Sequence, residues 1–266
     1  MSTHIYFSPH LDDAALSCGG QIVQLVRDGH RVHVVTVFAG DAIPEAAVSP
    51  HVQELHARWH LDPDNPSPGR RAEDLAAFKT IDYAGDAGIQ VAHLMFPDCV
   101  YRLGKMGWPI YFFRDAIFGD VAEVEAPLVD EIADAIERLG LPHEATVYLP
   151  LTAGHHVDHS LVRAAGEHWV KSLTSNLQPP IKYYEEYPYA EKPEEVTRAL
   201  STEASRALRA QLIELDQAAL AVKVKAITRY RSQISTFFKN DDEMAARVRA
   251  YANVVGAGRP AERLWF

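Results

Sequence analysis

The chain has 266 residues, 47% hydrophobic and 23% charged, an ordinary globular balance with enough length for one α/β domain with additions. A formal net charge of -10 leaves no basic face for a phosphate backbone, so a nucleic-acid partner is excluded. Cys18 and Cys99 share no CxxC spacing, which argues against a disulfide framework and a thiolate zinc site. No stretch approaches the roughly 20 apolar residues of a membrane span, and the first residues enter a strand without a signal core. The expectation is a cytoplasmic protein with no membrane partner; homo-oligomerisation is left open.

Ile5 to Phe7 reads as a buried strand, followed by an apolar helix from Ala14 to Val26 that Gly29 stops. Gly19-Gly20 inside that helix reads as close packing against the sheet, since no GxGxxG fingerprint is present. Arg31 to Phe38 is β-branched and continuous, as in a central parallel strand, and completes a βαβ unit. Residues 41–71 are irregular, and His51, His56 and His60 there read as a solvated loop or short helix rather than a metal site. A helix from Arg70 to about Tyr83, a strand from Val91 to Phe96, a helix from Leu128 to Leu139 and a strand from Thr146 to Leu149 follow. Between them, residues 98–126 interleave aromatic and cationic side chains, which fits a satellite core and a substrate lid equally well. A helix from Asp158 to Leu173 and a strand from Ile181 to Tyr184 complete the core, about residues 1–190. From Pro193 the pattern is helical with breaks to Arg231, then from Asp242 to Tyr251. The whole reads as one domain: a Rossmann-like α/β three-layer sandwich with a mostly parallel sheet, plus a C-terminal helical cap over about 191–266.

Two polar clusters stand at strand-to-helix junctions: Ser8-Pro9-His10-Leu11-Asp12-Asp13, and Gly154-His155-His156-Val157-Asp158-His159. In open α/β sheets the chemistry sits at the carboxyl ends of strands, so the clusters read as halves of one metal site. His10 with Asp13, and His156 with His159, are each three residues apart and can share the first turn of a helix. Catalytic zinc takes three such ligands and keeps one position for water. Three of the four would bind, leaving a histidine and Asp12 or Asp158 for proton transfer. The tail of an HxHxDH dinuclear signature is also present, but it needs His where this chain has Gly154.

These blocks resemble the PIG-L (LmbE-like) family of zinc-dependent N-acetylglucosaminyl deacetylases. Pro9 to Ala14 is similar to its PHPDDE block and His156 to His159 to its HPDH block. The resemblance implies zinc, or iron(II) or manganese(II), on His10, Asp13 and His159. It also implies Asp12 as general base and His156 as acid or oxyanion stabiliser. Asp158 joins the catalytic group, with its carboxylate keeping His156 protonated near neutral pH. Arg70, from Arg70-Arg71-Ala72-Glu73, and Asp98 match positions associated with sugar binding, and Tyr230-Arg231-Ser232-Gln233 echoes a further segment. Ala14 and Leu11 depart from the block, and losing its Glu is expected to loosen the shell that orients a ligand. The function so implied is removal of an acyl group from an N-acylated amino sugar. The rivals are a weakened Rossmann-like sugar-binding protein and, behind it, a dinuclear metallo-β-lactamase-like hydrolase.

Overall fold

The computed structural model describes residues 1–43, 45–46, 49–82, 88–173 and 178–266; the expected helix end at Tyr83 lies outside them. Strands β1 (Thr3–Ser8), β2 (Arg31–Thr36), β3 (Ile89–His93), β4 (Ala145–Pro150) and β5 (Ile181–Tyr184) are joined by β6 (Ala210–Glu214) and β7 (Ala261–Trp265). They form one sheet in the order β3-β2-β1-β4-β5-β7-β6. The first five are parallel, and β7 and β6 add on antiparallel. Chain order reverses between β1 and β4, paired from Thr3↔Ala145 to Tyr6↔Tyr148, so the crevice beyond their carboxyl ends is the topological switch point. Both polar clusters emerge there.

Alternation along β1 explains the layers. Ile5 and Phe7 face one side of the sheet, where α4 (Leu128–Glu137) and α5 (Val157–Ser172) pack with Val147, Leu149 and Trp169. Tyr6 faces the other, against α1 (Asp13–Arg27), α3 (Ser67–Asp82) and the later helix α7 (Gln217–Ile227). A strand buried on both faces must be apolar throughout, which is why β1 and β2 read as continuous runs. Between β2 and α3 lies α2 (Pro50–Trp59), the short helix the sequence allowed for.

The C-terminal segment departs from a purely helical cap. Besides α6 (Pro193–Leu200), α7, α8 (Arg231–Phe237) and α9 (Asp241–Val255), it supplies both antiparallel strands. Residues of β6 alternate exposed and half-buried, too short a pattern to stand out inside a helical stretch. Its place comes from pairing with β7, and that of β7 from pairing with β5. Gly20 packs closely as expected: a Cβ there would meet Leu215 Cδ1 at 2.5 Å and Glu262 Oε1 of sheet strand β7 at 3.0 Å, both from this segment. No helix among the described residues is long and apolar enough to cross a membrane.

Trp169 ties α5 to the sheet. It is 1% exposed, meets Phe7 edge-on at 5.8 Å and donates from Nε1 to Glu137 Oε2 at 2.8 Å. Trp169→Ala is expected to lower unfolding stability by about 3–5 kcal/mol in denaturant titration, the range for deleting a buried aromatic. A loss below about 1 kcal/mol would show that α5 is held by other contacts.

Candidate active site

The turn after β1 is built by its own side chains. Ser8 Oγ donates to the His10 carbonyl at 2.7 Å and accepts from Ala14 N at 3.0 Å, while Asp13 Oδ2 accepts from His10 N at 2.9 Å. These bonds satisfy donors at the start of α1 and aim His10, Asp12 and Asp13 into the crevice. The turn after β4 passes through positive φ at Thr152, Gly154 and His155 before α5 starts. Gly154 has φ +86°, and a Cβ there would lie 2.7 Å from the Tyr189 ring. A histidine at this position is therefore sterically barred, which removes the dinuclear signature. His155, half-buried, pairs with Asp120 at 3.3 Å away from the cluster.

Asp13 joins the two halves. Its Oδ2 lies 3.2 Å from His10 Nδ1 and 3.4 Å from His159 Nε2. Ligand atoms about 2.0–2.1 Å from one tetrahedral ion are about 3.4 Å apart, so these spacings fit a shared cation. His159 is fully buried and its Nε2 has no hydrogen-bond partner, an orphan nitrogen aimed at the same point. The opposite ring edges are tied: His159 Nδ1 donates to Glu186 Oε1 at 3.2 Å, and His10 Nε2 to Asp158 Oδ2 at 2.9 Å. Carboxylates behind both rings leave Nδ1 of His10 and Nε2 of His159 as the free lone pairs, the tautomers a metal needs. The residues present thus fit a divalent cation, and donor atoms of His10, His156 and His159 all lie within 4.8 Å of one another. Cys99, His156 and Asp158 form a second such group, but both Asp158 oxygens are already engaged.

Glu186 was not singled out from the sequence. The available signal was its place: Glu185-Glu186 directly follows β5, at the same crevice. Its carboxylate also accepts from Thr152 N at 2.6 Å and Ala153 N at 3.0 Å, closing the strained turn. Ala14 lies in the apolar core between α1 and the sheet. Asp158 and Glu186 stand behind the two histidines, so the rings are oriented by carboxylates other than the family's missing Glu.

Burial and neighbouring charges separate the acids. Burial and the adjacent Asp13 charge push the Asp12 carboxyl up to about 7, against the pull of Arg70 and His10. Asp13 is held low despite burial, because His159 and His10 flank it. Burial would lower His10, but Asp98, Asp13 and Asp158 more than reverse that; protons on these rings and a divalent cation are alternative ways to neutralise the same carboxylates. His156 differs from expectation. Burial, then His10 and His159, push it well below the ordinary histidine range. The Asp158 side chain does not reach it; instead Asp158 N donates to His156 Nδ1 at 3.2 Å. With Nδ1 accepting from Asp158 N, the Nε2 edge of the His156 ring is the one left to carry a proton.

A cleft of about 620 Å³ opens over this floor, lined by His10, Asp12, Asp13, Arg70, Asp98 and His156. Arg70 stacks on Trp59 at 4.6 Å and places Nη1 3.7 Å from Asp98 Oδ2. Asp158, which the sequence places with the catalytic group, is fully buried and, like His159, outside the lining; it touches His10 and sits behind it. Residues 98–126 form a satellite core and also border the cleft. Tyr101, Tyr111 and Ile117 build a satellite core with Val52 and Val157, while Arg114 to Phe118 wall the cleft. Of the three histidines between β2 and α3, His51 lines the cleft and His56 bonds Tyr101 at 2.6 Å.

Comparison with known proteins agrees with this geometry. The family model described as PIG-L, GlcNAc-PI de-N-acetylase, matches residues 5–170, which include both clusters. The chain is similar to 2'-N-acetylparomamine deacetylase of Niallia circulans, 29% identical over 197 residues, covering 70% of this chain and 66% of that protein. Among solved structures it resembles a deacetylase–teicoplanin complex of teicoplanin biosynthesis, with TM-score 0.80 and 28% identity over 99% of this chain and 97% of that one. The zinc-inhibited form of teicoplanin deacetylase has TM-score 0.75 and 25% identity, with the same coverages. The chain belongs to the PIG-L family.

Proposed function

We propose that this chain is a metal-dependent N-deacetylase that hydrolyses an acetyl, or similar acyl, amide on an N-acetylglucosamine-type sugar of a larger small molecule. The observation that carries this reading is Asp13 Oδ2 standing 3.2 Å from His10 Nδ1 and 3.4 Å from the orphan Nε2 of the buried His159, with His10, Asp12, Asp13 and His156 lining the cleft. Support comes from relatives named for removing acetyl groups from 2'-N-acetylparomamine and for acting in teicoplanin biosynthesis. A cleft of about 620 Å³ takes more than a single sugar ring, in keeping with substrates of that kind.

His10, Asp13 and His159 would hold the ion, and zinc, iron(II) and manganese(II) all suit this nitrogen and oxygen set. A divalent ion there supplies Lewis acidity toward the amide oxygen and makes water more acidic. The protein's own groups do the rest. Asp12, with its raised affinity for protons, takes one from the attacking water as the oxygen–carbon bond forms. His156 offers its Nε2 proton as a hydrogen bond to the oxyanion. As the carbon–nitrogen bond breaks, Asp12 returns the proton to the leaving amine, giving the free amine and a carboxylic acid that then ionises by losing water's second proton to solvent. Arg70 and Asp98 anchor the sugar hydroxyls. Asp158 acts through His10, fixing its tautomer.

The assay is release of free amine from N-acetylglucosaminides and N-acetylated aminoglycosides by metal-loaded protein. Absence of amine across such a panel, with metal bound, would favour the sugar-binding protein instead. The metal has its own test: the chain should hold close to one ion, His159→Ala should lose it, and Glu186→Gln should weaken it by about 10–100-fold. Retention of full affinity by both variants would refute the ligand set.

The base carries a pH signature. Asp12 accepts a proton only when ionised, so kcat/KM should fall as pH drops through an acidic limb at or below about 7, a bound cation pulling it down. Asp12→Asn should keep the metal, lose that limb and lower kcat by about 10²–10⁴-fold. An unchanged limb in Asp12→Asn would assign the base elsewhere.

A further inference from the structure

Residues 98–126 reach the metal site from behind as well as walling the cleft. Arg102 is 6% exposed, a charge that must be compensated where it lies. Its Nη1 stands 2.7 Å from Asp158 Oδ1, an ion pair without the alignment of a hydrogen bond. Its Nε and Nη2 grip the Glu125 carboxylate, Nη2 to Oε2 at 3.1 Å, and Nη1 also donates to the Pro97 carbonyl at 3.2 Å. Glu125 in turn accepts from Tyr111 OH at 2.6 Å, and the guanidinium lies 4.9 Å from the centre of the Phe38 ring. Asp158 then has no freedom left. Its Oδ2 receives His10 Nε2 at 2.9 Å and Cys99 N at 3.0 Å, while Oδ1 faces Arg102.

We propose that Arg102, clamped by Glu125, is a positioning residue for His10: it fixes Asp158 so that the carboxylate holds the His10 ring with Nδ1 toward Asp13 and His159. This rests on the metal reading above and extends it to residues that touch neither the ion nor the substrate. The short turn Cys99–Tyr101 directly before Arg102 is capped by Asp98, which accepts from Val100 N at 3.2 Å. The same buried charge pair therefore sets a metal ligand on one side and a cleft carboxylate on the other. Residues 98–126 behave as a fixed wall, bolted to the metal site through Arg102.

Zinc affinity measured by competition with a chromophoric chelator tests this on the full chain. Arg102→Met should weaken zinc about 10–100-fold, the scale for losing support behind a ligand, and Arg102→Lys should recover part of the loss. Arg102→Met alone strands two buried carboxylates, so Arg102→Met/Glu125→Gln is made beside it to remove one of them. The double variant should keep the zinc defect. Lys223→Met breaks a buried pair with Glu262, 2.7 Å long and outside the cleft lining, and should cost stability while leaving zinc affinity within about twofold. Wild-type zinc affinity in folded Arg102→Met/Glu125→Gln, or an equal zinc loss in Lys223→Met, overturns the inference. Failure of the unaltered chain to bind zinc would overturn the metal reading instead.

Discussion

The site depends on one carboxylate oxygen, Asp13 Oδ2, placed within 3.4 Å of histidine nitrogens from two distant parts of the chain. Three acids and three histidines are packed into a floor with almost no solvent, an arrangement that is costly unless charges are neutralised in place. The fold supplies that neutralisation in layers. Glu186 and Asp158 hold the outer edges of His159 and His10, and Arg102 holds Asp158. What is left unsatisfied is the lone pair of His159 Nε2, and a divalent cation is the simplest group that satisfies it together with Asp13 and His10.

Topology makes this economical. Because β1 and β4 are neighbours at the point where strand order reverses, the loops after them open into the same crevice without long excursions. Each loop is then locked by short-range chemistry: Ser8 and Asp13 close the first, and Glu186 with a left-handed Gly154 closes the second. The C-terminal segment contributes from the opposite direction. Gln233 and Phe237 of α8 line the cleft, and Ser232 is bonded from N and Oγ to Glu73, one turn along α3 from Arg70. The substrate side of the cleft is thus assembled from parts inside the matched family region and from the segment after it.

Much of this was legible in the sequence, for identifiable reasons. Parallel strands buried on both faces announce themselves as apolar runs, so β1, β2, β4 and β5 could be read and the junctions after them located. Once located, His10, Asp13, His156 and His159 needed only their spacing to be paired. The antiparallel strands β6 and β7 were hidden, because β7 takes its place from pairing with β5 and β6 from pairing with β7, not from local pattern. Glu186 was hidden for a related reason: it acts across 27 residues on His159. Adjacency in sequence paired the Asp158 carboxylate with His156, whereas the fold sets that carboxylate against His10 and Arg102. Sequence neighbours at the first turn of a helix point in different directions, and only the fold says which group each one meets.

The most direct test of this account is anomalous diffraction at the zinc absorption edge on crystals of zinc-loaded protein. A single peak about 2.0–2.2 Å from His10 Nδ1, an Asp13 carboxylate oxygen and His159 Nε2, with Asp12 and His156 outside the ligand set, is the predicted result. Two peaks, or a single peak held by Cys99 and His156, would contradict it.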